Sequence, residues 1–176
     1  AGSSMTAERS AARRFYGRRF GRALRAGRRR LLNELLPTLQ IASADGTLDP
    51  ATLFQNPPKE FCLEIGFGGG EHLAAQAVAH PDSGFIGCEP FVNGVARLLS
   101  EIDEKGLRNI RIYPDDARDL IDRLPADCLD RVFLLFPDPW PKSRHAARRF
   151  ISAENLDSLA RVMRYEAEFR FASDEM

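Results

Sequence analysis

The sequence predicts an α/β protein built on a doubly wound, mostly parallel sheet. Short apolar runs alternate along the chain with stretches whose apolar residues recur at helical spacing, and this alternation is typical of βαβ units. The runs are apolar at consecutive positions, as expected for strands that helices cover on both faces. A glycine-rich turn at residues 66–70 follows the first run and opens a helix, which is where such folds bind ligands.

The compact domain is expected to begin at residue 60 and to continue to residue 176. Its predicted strands are residues 61–65, 84–88, 109–113, 130–136 and 168–172. Its predicted helices are residues 72–79, 92–105, 120–124 and 154–163. Pro81 and Gly106 are expected to end the first two helices, because proline removes a backbone donor and glycine favours a helix C-cap. The last helix is expected to pack through Leu156, Leu159, Ala160 and Met163.

The amino-terminal part of the chain is basic, although the formal net charge of the whole chain is zero. Residues 1–36 contain ten arginines against two acidic residues, Glu8 and Glu34. Residues 1–4, before Met5, resemble a remnant of tag removal and are left out of the fold argument. We therefore divide this part into a basic arm at residues 5–36, whose short helix at 31–36 is stopped by Pro37, and a turn-rich linker at residues 37–59.

The arm combines arginines with aromatic side chains, including Phe15, Tyr16 and Phe20. Guanidinium groups bind phosphates and aromatic rings stack on bases, so the pattern favours contact with a nucleic acid. Glycines within residues 9–30 argue against a continuous helix, since each weakens a helix by roughly 1 kcal/mol relative to alanine. A solvated tail is the alternative interpretation.

The composition argues against several classes of protein. The three cysteines, Cys62, Cys88 and Cys128, are widely spaced and form no CxxC pair, so neither a disulfide framework nor a zinc site is expected. No apolar run approaches the length of a membrane span, and no secretory signal is expected. An organellar transit peptide is a weaker alternative for the arginine-rich start. The sequence thus favours a protein of the reducing cytoplasm without membrane or metal.

The fourth predicted strand leads into an acid between two prolines, Asp138 between Pro137 and Pro139, and Trp140 follows. A stiffened acid at a strand's carboxyl end, beside a basic and aromatic segment, favours chemistry on a base that is held by its phosphates. A proline-rich turn followed by a solvated basic helix start is the alternative. The basic side chains of this segment are Lys142, Arg144, His145, Arg148 and Arg149.

Acids at successive strand ends, Glu64, Glu89 and Asp116, favour a nucleoside ligand. Glu89 is placed to accept hydrogen bonds from ribose hydroxyls, Asp116 to meet an adenine amino group, and Glu64 to face a cationic amino acid part. Each acid alone is as well explained by an exposed helix cap. Glu71 replaces the third glycine of the dinucleotide fingerprint, and an acid there would repel a pyrophosphate.

A family resemblance rests on segments that occur in a fixed order: LEIGFGGG, GCEPFVNGVARLL, DDARDL, FPDPWPKSRH and FASD. They resemble the bacterial tRNA (guanine-N7)-methyltransferases, class I enzymes with a Rossmann-like fold that use S-adenosylmethionine. The resemblance runs from about Arg13 to Asp174, and the block from Asp138 to Trp140 is its most specific part. It implies S-adenosylmethionine as the cofactor and tRNA as the partner.

The resemblance also implies roles for individual residues, with Asp138 as the active-site acid. The cofactor would be bound by Glu64, Gly66, Gly68, Gly70, Glu89, Asp116 and Asp138. The RNA substrate would be bound by Lys142, Arg144, His145, Arg148, Arg149 and Asp174. The chain departs from the family in having Ala146-Ala147 where Asn-Lys is frequent, and Ser173 where threonine is usual. The family continues for two more strands, so we expect the domain to be incomplete at its carboxyl end.

The sequence therefore predicts an enzyme that transfers a methyl group from S-adenosylmethionine to N7 of a guanosine in tRNA, in the variable loop by resemblance. We expect it to be a cytoplasmic monomer or weak homodimer. Two alternatives remain open: a methyltransferase of small molecules on the same fold, for which the basic segments would have no use, and a non-catalytic RNA-binding module.

Overall fold

The computed structural model describes residues 23–135 and 152–172, which form a parallel sheet with strand order β3-β2-β1-β4-β5. The strands are β1 (Glu60–Ile65), β2 (Ser83–Cys88), β3 (Ile110–Tyr113), β4 (Leu129–Leu135) and β5 (Met163–Ala172). The helices are α1 (Ala26–Glu34), α2 (Leu36–Leu39), α3 (Glu71–Ala79), α4 (Val92–Lys105), α5 (Ala117–Arg123) and α6 (Ala153–Val162). The predicted fold class is confirmed.

Helices cover both faces of this sheet, which explains why its strands read as continuous apolar runs. Leu73 and Ala74 of α3 and Val95 and Leu99 of α4 belong to the buried cluster on one face. The opposite cluster includes side chains of α5 and α6, among them Leu120, Ile121, Leu159 and Val162. Because all the strand pairs are parallel, the carboxyl ends of β1, β2 and β3 lie along one edge of the sheet. No helix in the described part of the chain is both long and apolar enough to span a membrane.

The fifth strand begins at Met163, earlier than the predicted start at residue 168. Met163 pairs with Leu129, and regular pairing with β4 resumes only at Glu168, opposite Arg131. Between these points the strand is irregular, and Glu166 has a positive φ of 67°. The prediction missed this part because the strand follows the helix directly and its pairing with β4 is interrupted between Leu129 and Arg131, so it shows no regular strand pattern.

The packing predicted for the last helix is only partly correct. Leu159 and Val162 are buried, but Leu156 and Ala160 are exposed, so the prediction for these two is wrong. The helix packs beside α5 and beneath the start of β4, where the backbone N–H of Cys128 donates to Val162 O at 2.8 Å. A helix at this border buries a narrow stripe of one residue per turn instead of the wider stripe assumed from its spacing.

Residues 37–59, which we predicted to be a linker, pack against the sheet. Gln40 forms a parallel bridge with Ile112, and the backbone N–H of Ile41 donates to Ile112 O at 2.8 Å. Leu39 is buried on the α4 face, whereas Ile41 is buried on the α5 face. The segment thus borders β3 and passes from one face of the sheet to the other, a role that its polar turn residues concealed.

The carboxyl-terminal part of the predicted basic arm is helical and packed, contrary to the expectation from its glycines. Helix α1 begins at Ala26 and includes Gly27, and Pro37 lies in the first turn of α2 instead of stopping a helix. Proline is tolerated there because the first turn has no intrahelical acceptor for its missing N–H. The leucines that pack this region against the buried α4 side are Leu31, Leu32, Leu35 and Leu36.

We expect Ile41→Ala to lower the free energy of unfolding by about 2–5 kcal/mol, the usual cost of truncating a buried isoleucine. Val78→Ala is the control, because Val78 is 54% exposed and its truncation should change stability by less than about 0.5 kcal/mol. Denaturant unfolding followed by circular dichroism measures both. Equal, small effects in the two variants would show that residues 37–59 are a loosely attached linker after all.

Candidate functional site

The glycine loop joins β1 to α3 at the carboxyl edge of the sheet. Its conformation is fixed by backbone hydrogen bonds: Gly66 N donates to Cys88 O at 2.8 Å, and Gly70 N donates to Phe67 O at 2.9 Å. Phe67 is buried and anchors the loop from below. A backbone with several positive φ angles requires glycine, since side chains rarely adopt this region. The glycines with positive φ are Gly66 (68°), Gly68 (61°) and Gly70 (80°).

The loop is crowded on one side and open on the other. A Cβ atom on Gly94, near the start of α4, would lie 2.1 Å from the carbonyl oxygen of Gly68. A Cβ atom on Gly66 would have no neighbour within 4 Å. Helix α4 therefore supports the loop from behind, while the backbone around Gly66 faces open space that a ligand can occupy.

Glu89 connects the loop to the start of α4. Its Oε1 accepts a hydrogen bond from Gly68 N at 2.9 Å, and its Oε2 accepts one from Phe91 N at 3.1 Å. The side chain is half-buried. The structure thus brings Glu89 to the glycine loop, as the sequence predicted, and shows in addition that the carboxylate is oriented by two backbone donors.

Asp116 lies at the end of β3 and begins α5. Its carboxylate is 3% exposed, accepts a hydrogen bond from the N–H of Arg118 at 2.9 Å, and also contacts the Arg118 guanidinium. The helix cap that was the alternative interpretation of this acid is therefore present. Contact with an adenine amino group stays a prediction.

Glu64 is buried at the end of β1, with 1% of its surface exposed. Its Oε1 contacts Nδ1 of His72, whereas its Oε2 has no hydrogen-bond partner among the described residues. Burial raises the pKa of Glu64, and the contact with His72 opposes this effect only in part. Buried oxygen atoms without a partner are rare in folded proteins and often mark the place of a ligand.

His72 is a site residue that the sequence reasoning missed. It lies in the first turn of α3, its side chain is 34% exposed, and its ring meets the ring of Phe133 edge-on with centroids 5.0 Å apart. The signal that would have found it is positional: a residue at the start of the helix after a glycine loop lies above the end of the preceding strand. From the sequence pattern alone, His72 was predicted only to lie in a helix.

Glu71 is less isolated than the sequence indicated. Arg97 of α4 donates from Nη2 to Oε1 of Glu71 at 2.7 Å, and both side chains are more than half exposed. Exposed pairs of this kind contribute little to stability, but they compensate part of the charge of the acid. Glu71 would therefore repel a pyrophosphate less strongly than the sequence alone indicates.

The remaining predicted site residues follow β4 or β5. Strand β4 ends at Leu135, and Leu134 pairs with Ile65, so this strand reaches the same edge as the glycine loop. The predicted residues that lie outside the described part of the chain are Asp138, Lys142, Arg144, His145, Arg148, Arg149 and Asp174.

The described residues fit a nucleoside with a cationic end better than they fit a phosphate. The acids Glu64, Glu89 and Asp116 lie at the ends of β1, β2 and β3, and carboxylates accept hydrogen bonds from hydroxyl and ammonium groups. The loop lets a ligand approach the backbone at Gly66, and the unpartnered Oε2 of Glu64 is an acceptor ready for a positive group. These are the requirements of S-adenosylmethionine.

Solved structures with a similar fold are methyltransferases. An antibiotic-related methyltransferase is 18% identical, with a TM-score of 0.51 over 66% of this chain and 58% of that one. The 16S rRNA methyltransferase KamB is 22% identical, with a TM-score of 0.52 over 66% of this chain and 54% of that one. At this identity the likeness concerns the fold alone. Together with the site, it defines a protein with the class I methyltransferase fold.

The family follows from closer relatives. A family model described as "Putative methyltransferase" matches residues 58–176. The tRNA (guanine-N(7)-)-methyltransferase of Rhodospirillum rubrum is 54% identical over 93% of this chain and 66% of its own length. The enzyme of the same name from Nitrobacter hamburgensis is 52% identical over 91% of this chain and 63% of its own length. The one from Hyphomonas neptunium is 52% identical over 92% of this chain and 73% of its own length. The chain belongs to the tRNA (guanine-N(7)-)-methyltransferase family, and it spans about two thirds of the length of these curated relatives.

We expect Gly94→Ala to lower the free energy of unfolding by about 1–3 kcal/mol, because the added Cβ must displace the carbonyl of Gly68. Gly27→Ala is the matched control: it lies in a helix with nothing within 4 Å, and alanine there should stabilise by roughly 0.5–1 kcal/mol. Thermal and denaturant unfolding measure both changes. Two variants that are equally stabilised would contradict the close approach of α4 to the loop.

We expect Glu64→Gln to stabilise the protein without ligand, increasingly as the pH rises. The pKa of Glu64 is raised in the folded protein, so its protonated form favours folding at low pH, and this stability is lost as the pH rises through the folded pKa. Glutamine does not ionise, so the variant should match wild type near pH 4, about the pKa of an unfolded glutamate, and exceed it at higher pH. Glu71→Gln, at an exposed site, is the control. A pH-independent difference between Glu64→Gln and wild type in denaturant unfolding would contradict the expectation.

Proposed function

We propose that this chain transfers a methyl group from S-adenosylmethionine to N7 of a guanosine in tRNA. The observation that carries the proposal is the identity of about one half to relatives named for this reaction, over more than nine tenths of the chain. The acids Glu64, Glu89 and Asp116, at the strand ends beside the glycine loop, support it because they suit a cationic nucleoside cofactor.

The cofactor supplies an activated methyl group, and the protein supplies binding and orientation. Gly66, Gly68 and Gly70 let it approach the backbone closely, and Glu89 accepts hydrogen bonds from its ribose hydroxyls. Asp116 meets its adenine, and Glu64 receives its positively charged amino group. These roles agree with the places of the acids at successive strand ends.

The acceptor requires little from the protein, because N7 of guanine presents a lone pair and carries no proton that must leave. Alignment of the two reactants is then the main contribution, and it lowers such barriers by up to ~7–11 kcal/mol. Positive charge shifts toward the guanine ring as the methyl group moves. Asp138 stabilises this charge and orients the base, and it does not act as a general base.

Basic residues bind the RNA. Arg25, the N-cap residue of α1, and Arg29 within the helix are exposed, while the leucines of the same region pack against the α4 side. The helix therefore presents cationic groups outward. Phosphate contacts of this kind give an affinity that falls steeply with salt. The further RNA- and substrate-binding residues of the proposal are Lys142, Arg144, His145, Arg148, Arg149 and Asp174.

The proposed setting is the cytoplasm, where the chain acts as a monomer or a weak homodimer. The cysteines support a reducing compartment, since Cys62, Cys88 and Cys128 are buried free thiols. Burial raises the pKa of Cys62 to about 12 and that of Cys128 to about 11, so these thiols stay protonated and unreactive near neutral pH.

The test is methylation of bulk tRNA with labelled S-adenosylmethionine, followed by nucleoside analysis for 7-methylguanosine. Asp138→Asn is expected to lower the rate by about 100-fold or more, as removal of a group that stabilises a transition state does. Asp122→Asn, at an exposed residue of α5, is the control and should leave the rate unchanged. In wild type, the pH–rate profile should show no near-neutral pKa that belongs to Asp138.

Three outcomes would contradict the proposal. Binding of the cofactor without label in tRNA would favour a methyltransferase of small molecules. Binding of tRNA without calorimetric heat from the cofactor would favour a non-catalytic RNA-binding module. Label in a nucleoside other than 7-methylguanosine would overturn the assigned acceptor atom.

A further inference from the structure

We propose that His72 is a positioning residue of the cofactor pocket: by contacting Oε1 of Glu64, it fixes the carboxylate so that Oε2 receives the cationic amino group of the cofactor. The inference rests on the proposed function, because it concerns the same pocket. His72 is proposed to act through Glu64, without contacting the reacting atoms or the cofactor itself.

The side chains of the strands beside Glu64 cannot orient its carboxylate. In the parallel pairing, Glu64 lies opposite Gly87 of β2 and opposite Phe133 of β4. Glycine has no side chain and phenylalanine offers no hydrogen-bond donor. A polar contact for the carboxylate must therefore come from the layer above the sheet, and among the described residues His72 of α3 supplies it.

His72 is itself held in place. Gly70 begins α3 in the left-handed region, and any Cβ atom there would collide with Leu98 at 2.6 Å, so the helix start has a fixed position against α4. The His72 ring also rests edge-on against the ring of Phe133. Because Phe133 is the strand neighbour of Glu64, this contact aligns the imidazole with the carboxylate below it.

Only one of the two carboxylate oxygens of Glu64 has a hydrogen-bond partner among the described residues. A histidine that merely satisfied a core acid would be expected in a network that satisfies both oxygens, since a buried oxygen without a partner loses the hydration of the unfolded state and gains nothing in return. Here Oε2 is buried with no partner among the described residues. An arrangement that satisfies one oxygen and leaves the other is suited to a ligand that brings its own donor, such as an ammonium group.

The other described charged side chains near Glu64 form ion pairs of their own. Glu71 and Arg97 pair with each other at the surface, and Arg170, which lies beside Phe133 in the sheet register, contacts Glu168. These charges are engaged in their own pairs and exposed to solvent, which screens them. The described group that meets Glu64 directly is thus the imidazole of His72.

The experiment compares two ligands that differ in the amino acid part. S-adenosylhomocysteine carries the amino group, whereas 5′-methylthioadenosine lacks the amino acid part altogether. Calorimetry measures both affinities for wild type, His72→Phe and His72→Asn. Phenylalanine keeps a flat ring against Phe133 without a donor, and the asparagine amide places an N–H near the position of Nδ1.

We expect His72→Phe to weaken the affinity for S-adenosylhomocysteine by about 10- to 100-fold, the effect of losing a hydrogen bond to a charged group. The affinity for 5′-methylthioadenosine should not change. His72→Asn should restore most of the lost affinity. His80→Phe, at the carboxyl end of α3, is the control and should change neither affinity. In a Glu64→Gln background, His72→Phe should have no further effect on binding, because the group that it positions is no longer a carboxylate.

Each contrary result has a distinct meaning. If wild type binds both ligands and His72→Phe weakens neither, or weakens both equally, the positioning role is overturned and the proposed function stands. The same holds if His72→Asn is as weak as His72→Phe while circular dichroism shows both to be folded. If wild type binds neither ligand, the proposed function and this inference are both overturned.

Discussion

The structure depends on the burial of an acid at the end of β1 that has a polar partner at one of its two oxygens only. Removing an ionised carboxylate from water costs several kcal/mol unless partners replace the lost hydration. For Glu64, His72 meets one oxygen, and the other has no partner among the described residues. The fold therefore keeps an unfavourable group at the place where the glycine loop opens, and the proposed cationic ligand would relieve this cost. Ligand binding and folding stability are linked through the same atom.

The surrounding architecture keeps this acid from relaxing. The loop is tied to β2 through Cys88, supported from behind at Gly94, and held by Glu89 through the N–H of Gly68. Because interiors are closely packed, small shifts of α4 would be transmitted to the loop and to the start of α3. Residues 37–59 contribute at a distance, since they border β3 and join the apolar clusters on both faces. Several elements thus fix the glycine loop, although the loop itself has little secondary structure.

Much of the fold could be predicted from the sequence, because the periodicity of apolar residues reports burial. The starts of the four strands β1 to β4 lie within one residue of the prediction. The errors share one cause: tertiary contacts that local patterns do not record. Ile41 lies in a turn-rich segment whose apolar residues show no regular spacing, and Gly27 lies in a helix that packing stabilises despite its propensity. Residues 163–167 begin an edge strand whose pairing with β4 is irregular, so the sequence shows no strand pattern there.

The site was predictable where its residues occupy strand ends, and not where a contact crosses between elements. Glu64, Glu89 and Asp116 follow from the rule that ligands bind at the carboxyl edge of a parallel sheet. The partners His72 and Arg118 do not follow from that rule, since they depend on how a helix start is set against a strand. A family pattern identifies residues that act on the ligand, whereas the residues that orient them are found only from coordinates.

The division of charge along the chain follows from what each part binds. The acids at the strand ends suit the proposed cationic ligand, whereas the basic groups of residues 1–36 and 142–149 suit the proposed polyanionic substrate. Arginines placed among these acids would weaken the attraction of a cationic cofactor. Had the acids lined the RNA surface, they would have opposed the phosphates. Separation of the two sets lets one small domain bind ligands of opposite charge, and the contact of His72 with Glu64 holds the buried acid where the cationic ligand is proposed to bind.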